Sequence, residues 1–140
     1  MTFVVDRPPV VVDASVAVGA LIQGEARRIG IFDRWQADQR TTLVPGHFWA
    51  EVANGLLVGN HVDAAKTQAY LSLLADFGVD VADRGLAGLA DSVDLAARHG
   101  LTVYDALYLQ LALDIDATLA TLDRDLARAA TEEGIELEAL

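Results

Sequence analysis

Four acidic residues, Asp13, Glu51, Asp105 and Asp123, are the positions in this 140-residue chain best placed to do chemistry. Asp13 ends the run Val10-Val11-Val12 and precedes Ala14-Ser15-Val16. Three β-branched residues in a row suit a strand buried on both faces, as in a parallel sheet. An acid at the carboxyl end of such a strand stands in the crevice where open α/β sheets bind ligands. Asp123 repeats this arrangement after Ala117-Thr118-Leu119-Ala120-Thr121-Leu122. Glu51 falls in the first turns of a helix beginning at His47, and Asp105 at the mouth of another. Carboxylates gathered at one sheet edge repel one another unless a cation joins them. Oxygen-only ligands, with no Cys in the chain and no closely spaced His pair, point to Mg²⁺ or Mn²⁺. Such an ion activates water and stabilises a pentavalent phosphate, the chemistry of metal-dependent nucleases.

Each acid also has a plainer reading. Asp13 and Asp123 precede helices, where Asp is a favoured cap. Glu51 suits the positive end of a helix dipole. Thr102-Val103-Tyr104-Asp105 resembles a capping box with Asp replacing the usual Glu. Their grouping favours the ligand role over any one position alone. Phe48 and Val52 flank Glu51 and place it beside a partly buried face. The segment after Asp105, Ala106 to Leu113, is apolar nearly all round and therefore central.

Supporting roles fall to neighbours. Ser15 is placed to bond a free backbone N–H or to orient a metal-bound water. Asn54, at i+3 from Glu51, and Thr121 are candidate hydrogen-bonding partners of the acids, and Asp125 is an alternative ligand. Arg124, which directly follows Asp123, is the best-placed base for a phosphate. Arg27, Arg28, Arg40 and Arg128 read more simply as helix-surface residues. His47, His61 and His99 read as surface or helix-end residues. Trp35, Trp49, Tyr104 and Tyr108 read as core or interface. Asp114, Asp116, Glu132, Glu133, Glu136 and Glu138 read as solvated.

The elements that must position these groups alternate. Strands are expected at Val10–Val12, Thr41–Val44, Val79–Val81, Ala117–Leu122 and Ile135–Leu137. Helices are expected at Ala14–Ile22 (ending near Gly24), Glu25–Gln39, His47–Val58, Asp63–Phe77, Leu86–His99, Val103–Leu113 and Arg124–Glu133, with Met1–Pro9 a lead-in. The order predicts one domain over residues 1–140, an α/β fold with a mostly parallel sheet and helices on both faces. Hydrophobic residues make up 53% of the chain, enough for a sizeable core. No apolar run approaches the ~18 residues that would span a bilayer, and no secretory signal is visible, so the expected location is the cytoplasm. The net charge of −11 argues against a simple nucleic-acid binder, although bound cations invert a local field.

The combined pattern resembles PIN-domain ribonucleases, and among them the VapC toxins of toxin–antitoxin pairs. The matching pieces are Val-Val-Asp-Ala-Ser-Val-Ala at 11–17, Pro-Gly-His-Phe-Trp-Ala-Glu-Val-Ala-Asn at 45–54, Leu-Thr-Val-Tyr-Asp-Ala-Leu-Tyr-Leu at 101–109 and Leu-Ala-Thr-Leu-Asp-Arg-Asp-Leu at 119–126. They run in the family's order and cover nearly the whole chain. The resemblance assigns the four family acids to Asp13, Glu51, Asp105 and Asp123, and the hydroxyl after the first acid to Ser15. It implies a three-layer sandwich around a central sheet of four to five strands. It also implies a Mg²⁺- or Mn²⁺-dependent endoribonuclease in which metal-activated water attacks the phosphodiester in line. A homodimer, an RNA substrate and an inhibitory antitoxin with a basic segment follow from the same resemblance, with no membrane partner.

Other enzyme classes fit poorly. A phosphatase of the haloacid dehalogenase type needs a second Asp two residues after the first, where this chain has Ser15. The glycine fingerprint of a dinucleotide site is missing after the first strand. The serious alternative is a non-catalytic acidic interaction module of the same fold, its acids serving as helix caps.

Overall fold

The computed structural model describes residues 7–23 and 26–140, with backbone alone for 26–29. The expected helix end at Gly24, most of the lead-in, and the side chains of Arg27, Arg28 and Ile29 lie outside the described residues. Strand β1 (Val10–Val12) leads into α1 (Ala14–Gln23) and α2 (Ala26–Ala37). Then come β2 (Thr42–Val44), α3 (Phe48–Asn54), α4 (Ala64–Ala75), β3 (Asp80–Val81) and α5 (Leu86–His99). The chain continues through α6 (Val103–Ile115), β4 (Thr118–Ala120) and α7 (Arg124–Glu132).

The four strands form one parallel sheet in the order β3-β2-β1-β4. All three valines of β1 are fully buried, so both faces of the central strand are covered, as their continuous apolar run requires. Helix α6 packs on β1 and β4 and is itself covered by α5 and α7, while α1 packs against α2 and α3. The strand order reverses between β1 and β4, the place where an open parallel sheet forms its crevice. Asp13 and Asp123 follow those two strands and flank the reversal. The Asp13 N–H donates to Ala120 O at 2.9 Å, which fixes the two strand ends side by side.

Helix boundaries follow the expected chemistry. Asp63 caps α4 through Lys66 N–H, and Thr102 caps α6 through Asp105 N–H. Gly100 ends α5 in a left-handed conformation at φ 67°, which glycine adopts without strain. Two elements differ from expectation. The helix begun at His47 does not stay α-helical to Val58, because from Gly55 to Gly59 it widens into a π-helical turn. A Cβ on Gly55 would meet Val18 Cγ2 at 3.0 Å, so the glycine lets this turn approach α1. The expected strand at Ile135–Leu137 contracts to a single parallel bridge between Leu137 and Leu119. It is held by Leu119 N–H on Glu136 O and Glu138 N–H on Leu119 O.

That last segment is anchored by a buried ion pair. Arg40 lies against Glu138 at 3.0 Å, with the Arg40 side chain only 3% exposed. Arg40 Nε donates to Pro8 O, and Trp35 Nε1 donates to the same Glu138 Oε1. Glu138 is therefore not solvated as its sequence context suggested, and Arg40 is not a surface residue. Asp114 and Glu132 are exposed as expected while pairing with Arg84 and His99, whereas Glu133 is only partly exposed against His99.

Candidate metal centre

Asp13 is 4% exposed. Ser15 Oγ and Thr121 Oγ1 both donate to its Oδ2, each at 2.7 Å. The two hydroxyls in turn accept backbone N–H groups, Ser15 from Leu122 and Thr121 from Asp123. Hydroxyls can donate and accept at once, so this pair ties Asp13 to the turn after β4. Burial pushes the Asp13 carboxyl above its ordinary value, the hydroxyl bonds partly offset this, and the charge of Glu51 adds to the rise.

Glu51 enters from the first turn of α3 and is half-buried. Burial alone would raise its pKa. Hydrogen bonds from His47 and Tyr108 outweigh burial and hold it below the ordinary value. Tyr108 Oη donates to Glu51 Oε1 at 2.7 Å, and His47 Nε2 lies 2.9 Å from the same oxygen. Asp105 stands in the first turn of α6. Its carboxyl is raised by burial, then by the charges of Asp13 and Asp123, with a smaller push from Glu51 against a lowering contact with Thr102. Asp123 begins α7 and accepts Leu126 N–H at 2.9 Å, the capping bond its position predicts.

The four acids thus share one field at the carboxyl ends of β1 and β4. Among the described residues, no three His, Asp or Glu side chains are close enough to cage an ion outright. This still fits Mg²⁺, which keeps several waters and takes only one or two carboxylates directly. The remaining candidates lie further out. Asp125 is 79% exposed at its side chain and 3.9 Å from Arg128. Arg124 and Asn54 are exposed. Sequence reasoning missed His47 and Tyr108. His47 is i−4 to Glu51, a spacing that brings side chains together on a helix. A phenol inside an all-apolar helix must find a partner, which is the signal Tyr108 carried.

The raised carboxyls make the metal-free protein pH-sensitive. Asp13 and Asp105 bind protons more tightly folded than unfolded, so their protonation stabilises the fold. Stability from these two falls as pH rises from 3.8 through their elevated folded values. Glu51 acts oppositely, and its contribution is lost as pH falls from 4.5 through its lowered folded value. In thermal melts in chelator, the contribution of these two acids is expected to fall as pH rises from 3.8 through their elevated values, a fall reduced in Asp13→Asn.

Among the described residues, no helix is long and apolar enough to cross a membrane. Comparison with known proteins places the chain. Over 39 residues it is 56% identical to Ribonuclease VapC3 of Pyrobaculum aerophilum, a match covering 28% of this chain and 30% of that protein. The fold resembles the crystal structure of Mycobacterium tuberculosis VapC20, a sarcin–ricin loop cleaving toxin, with a TM-score of 0.66 at 18% identity over 86% of this chain and 94% of that one. It also resembles VapBC2 of Rickettsia felis, solved on a DNA fragment from its promoter, with a TM-score of 0.69 at 16% identity over 92% of this chain and 96% of that one. The PIN domain family matches residues 10–132, nearly the full span from β1 to the end of α7, and the chain belongs to that family.

Proposed function

We propose that this chain is a metal-dependent endoribonuclease toxin of the VapC type, working in the cytoplasm. The observation that carries this reading is the convergence of Asp13, Glu51, Asp105 and Asp123 at the sheet reversal, where Asp13 and Asp105 are raised by burial and by neighbouring negative charge. A site of this kind gains stability by taking up a cation. The acids would hold Mg²⁺ or Mn²⁺, with Asp125 available at the rim. Bound there, the ion would supply a water of lowered pKa and charge stabilisation for an in-line displacement at phosphorus. The chain's own residues prepare the site. Ser15 and Thr121 fix one oxygen of Asp13, and Arg124, exposed beside Asp123, is the base nearest to hand for an RNA phosphate. The similarity to Ribonuclease VapC3 supports RNA as substrate.

The likeness to VapBC2 supports an antitoxin partner. The charge of −11 suits a basic antitoxin segment. A homodimer accompanies this reading. Incubation of purified, partner-free protein with total cellular RNA tests it. Discrete fragments are expected with Mn²⁺ or Mg²⁺ and none with chelator, and Asp105→Asn is expected to reduce cleavage by about a hundredfold or more. Absence of metal-dependent cleavage, with no Mn²⁺ binding, would return the acids to capping roles in an interaction module.

A further inference from the structure

Tyr108 is fully buried in α6, yet its hydroxyl has a charged partner. It donates to Glu51 Oε1 on α3 at 2.7 Å. Burial and the bond to Glu51 push the phenol far above its ordinary value, so it keeps its proton. One hydroxyl therefore joins α6, which carries Asp105, to Glu51 on α3. His47 adds a second contact to Glu51. Its Nε2 lies 2.9 Å from Glu51 Oε1 and 3.0 Å from Tyr104 O. A carbonyl oxygen only accepts, so Nε2 carries the hydrogen and donates it to Tyr104 O, with Glu51 Oε1 in close contact alongside. The imidazole is braced between aromatic rings, 5.0 Å from Tyr108 and 5.9 Å from Tyr104.

Tyr108 and His47 thus both lie on one oxygen of Glu51, and among the described residues no hydrogen bond reaches Oε2. Asp13 shows the same pattern, with both hydroxyls on Oδ2. A purely packing role would not need this. Phenylalanine would fill the Tyr108 site, and water would satisfy a half-exposed carboxylate. We propose that Tyr108 and His47 are positioning residues for cation binding, holding one Glu51 oxygen so that the other oxygen alone is presented to the ion. The proposal rests on the nuclease reading above.

The test is calorimetric titration of Mn²⁺ into the full chain, with RNA cleavage measured in parallel. Tyr108→Phe and His47→Leu are each expected to weaken Mn²⁺ binding by about tenfold and to reduce cleavage similarly. His47→Gln, which keeps an N–H donor, is expected to recover most of the loss. Leu109→Val removes packing from the same buried helix without touching an acid, and is expected to lower the melting temperature while leaving Mn²⁺ affinity unchanged. If the unmodified chain cleaves RNA and Tyr108→Phe and His47→Leu bind Mn²⁺ equally well, the positioning role is wrong and the nuclease reading stands. If Leu109→Val weakens binding as much, the effect is general destabilisation and the proposal also fails. If the unmodified chain neither binds Mn²⁺ nor cleaves, both readings fail together.

Discussion

Asp13→Asn is expected to raise the thermal midpoint of the metal-free protein while reducing RNA cleavage by about a hundredfold or more. The two effects have one origin. Asp13 is 4% exposed, and burial makes its ionised form costly in the absence of a cation. The amide has nearly the same shape. Its oxygen can occupy the Oδ2 position and still accept from Ser15 and Thr121, each 2.7 Å away in the native chain. The buried charge and its repulsion with Glu51 and Asp105 are removed. A gain of ~1 kcal/mol shifts the midpoint of a chain this size by about 2–4 °C. Mn²⁺ is expected to stabilise the native chain by mass action and to have little effect on Asp13→Asn. Differential scanning fluorimetry with chelator or Mn²⁺ measures all four conditions. A substitution that lowers the midpoint would show that Asp13 is mainly structural.

The second large effect lies away from the acidic cleft, at the Arg40–Glu138 pair. Glu138→Ala is expected to destabilise the fold by about 3–5 kcal/mol while leaving cleavage per folded molecule intact. The substitution leaves the Arg40 guanidinium, 3% exposed, without its charge partner. It also removes the acceptor of Trp35 Nε1–H, itself in a side chain that is 2% exposed. The backbone bridge that joins the Glu138 segment to β4 loses its side-chain anchor. Urea unfolding measures the loss. Replacing Arg40 and Glu138 together by Met is expected to cost much less, because no uncompensated charge remains. A Glu138→Ala protein of native stability would mean that the pair is solvated in solution.

The sequence announced some of this site and concealed the rest, for physical reasons. Asp13 and Asp123 were legible because a strand buried on both faces has no polar position until it ends, so the first acid marks the sheet edge. Asp105 was legible because the helix behind it is apolar all round. His47 and Tyr108 were harder to assign. Tyr108 meets Glu51 across 57 positions of sequence, and a tyrosine in an apolar helix satisfies the core pattern whatever its hydroxyl touches. Glu138 carried no local signal, since the burial of Arg40 depends on a contact spanning 98 positions. The π-helical turn after α3 was equally hidden, because Gly55 to Val58 reads as an unbroken continuation of the helix begun at His47.

The most direct measurement of the central claim is analysis of the RNA ends produced by the purified chain in Mn²⁺ and in chelator. Attack by water leaves uncyclised phosphate ends, whereas attack by the ribose 2′-hydroxyl leaves a 2′,3′-cyclic phosphate. Uncyclised ends, formed with Mn²⁺ and absent in chelator, are the predicted result. Cleavage that persists in chelator and yields cyclic phosphate would contradict the account and remove the carboxylate cleft from the chemistry.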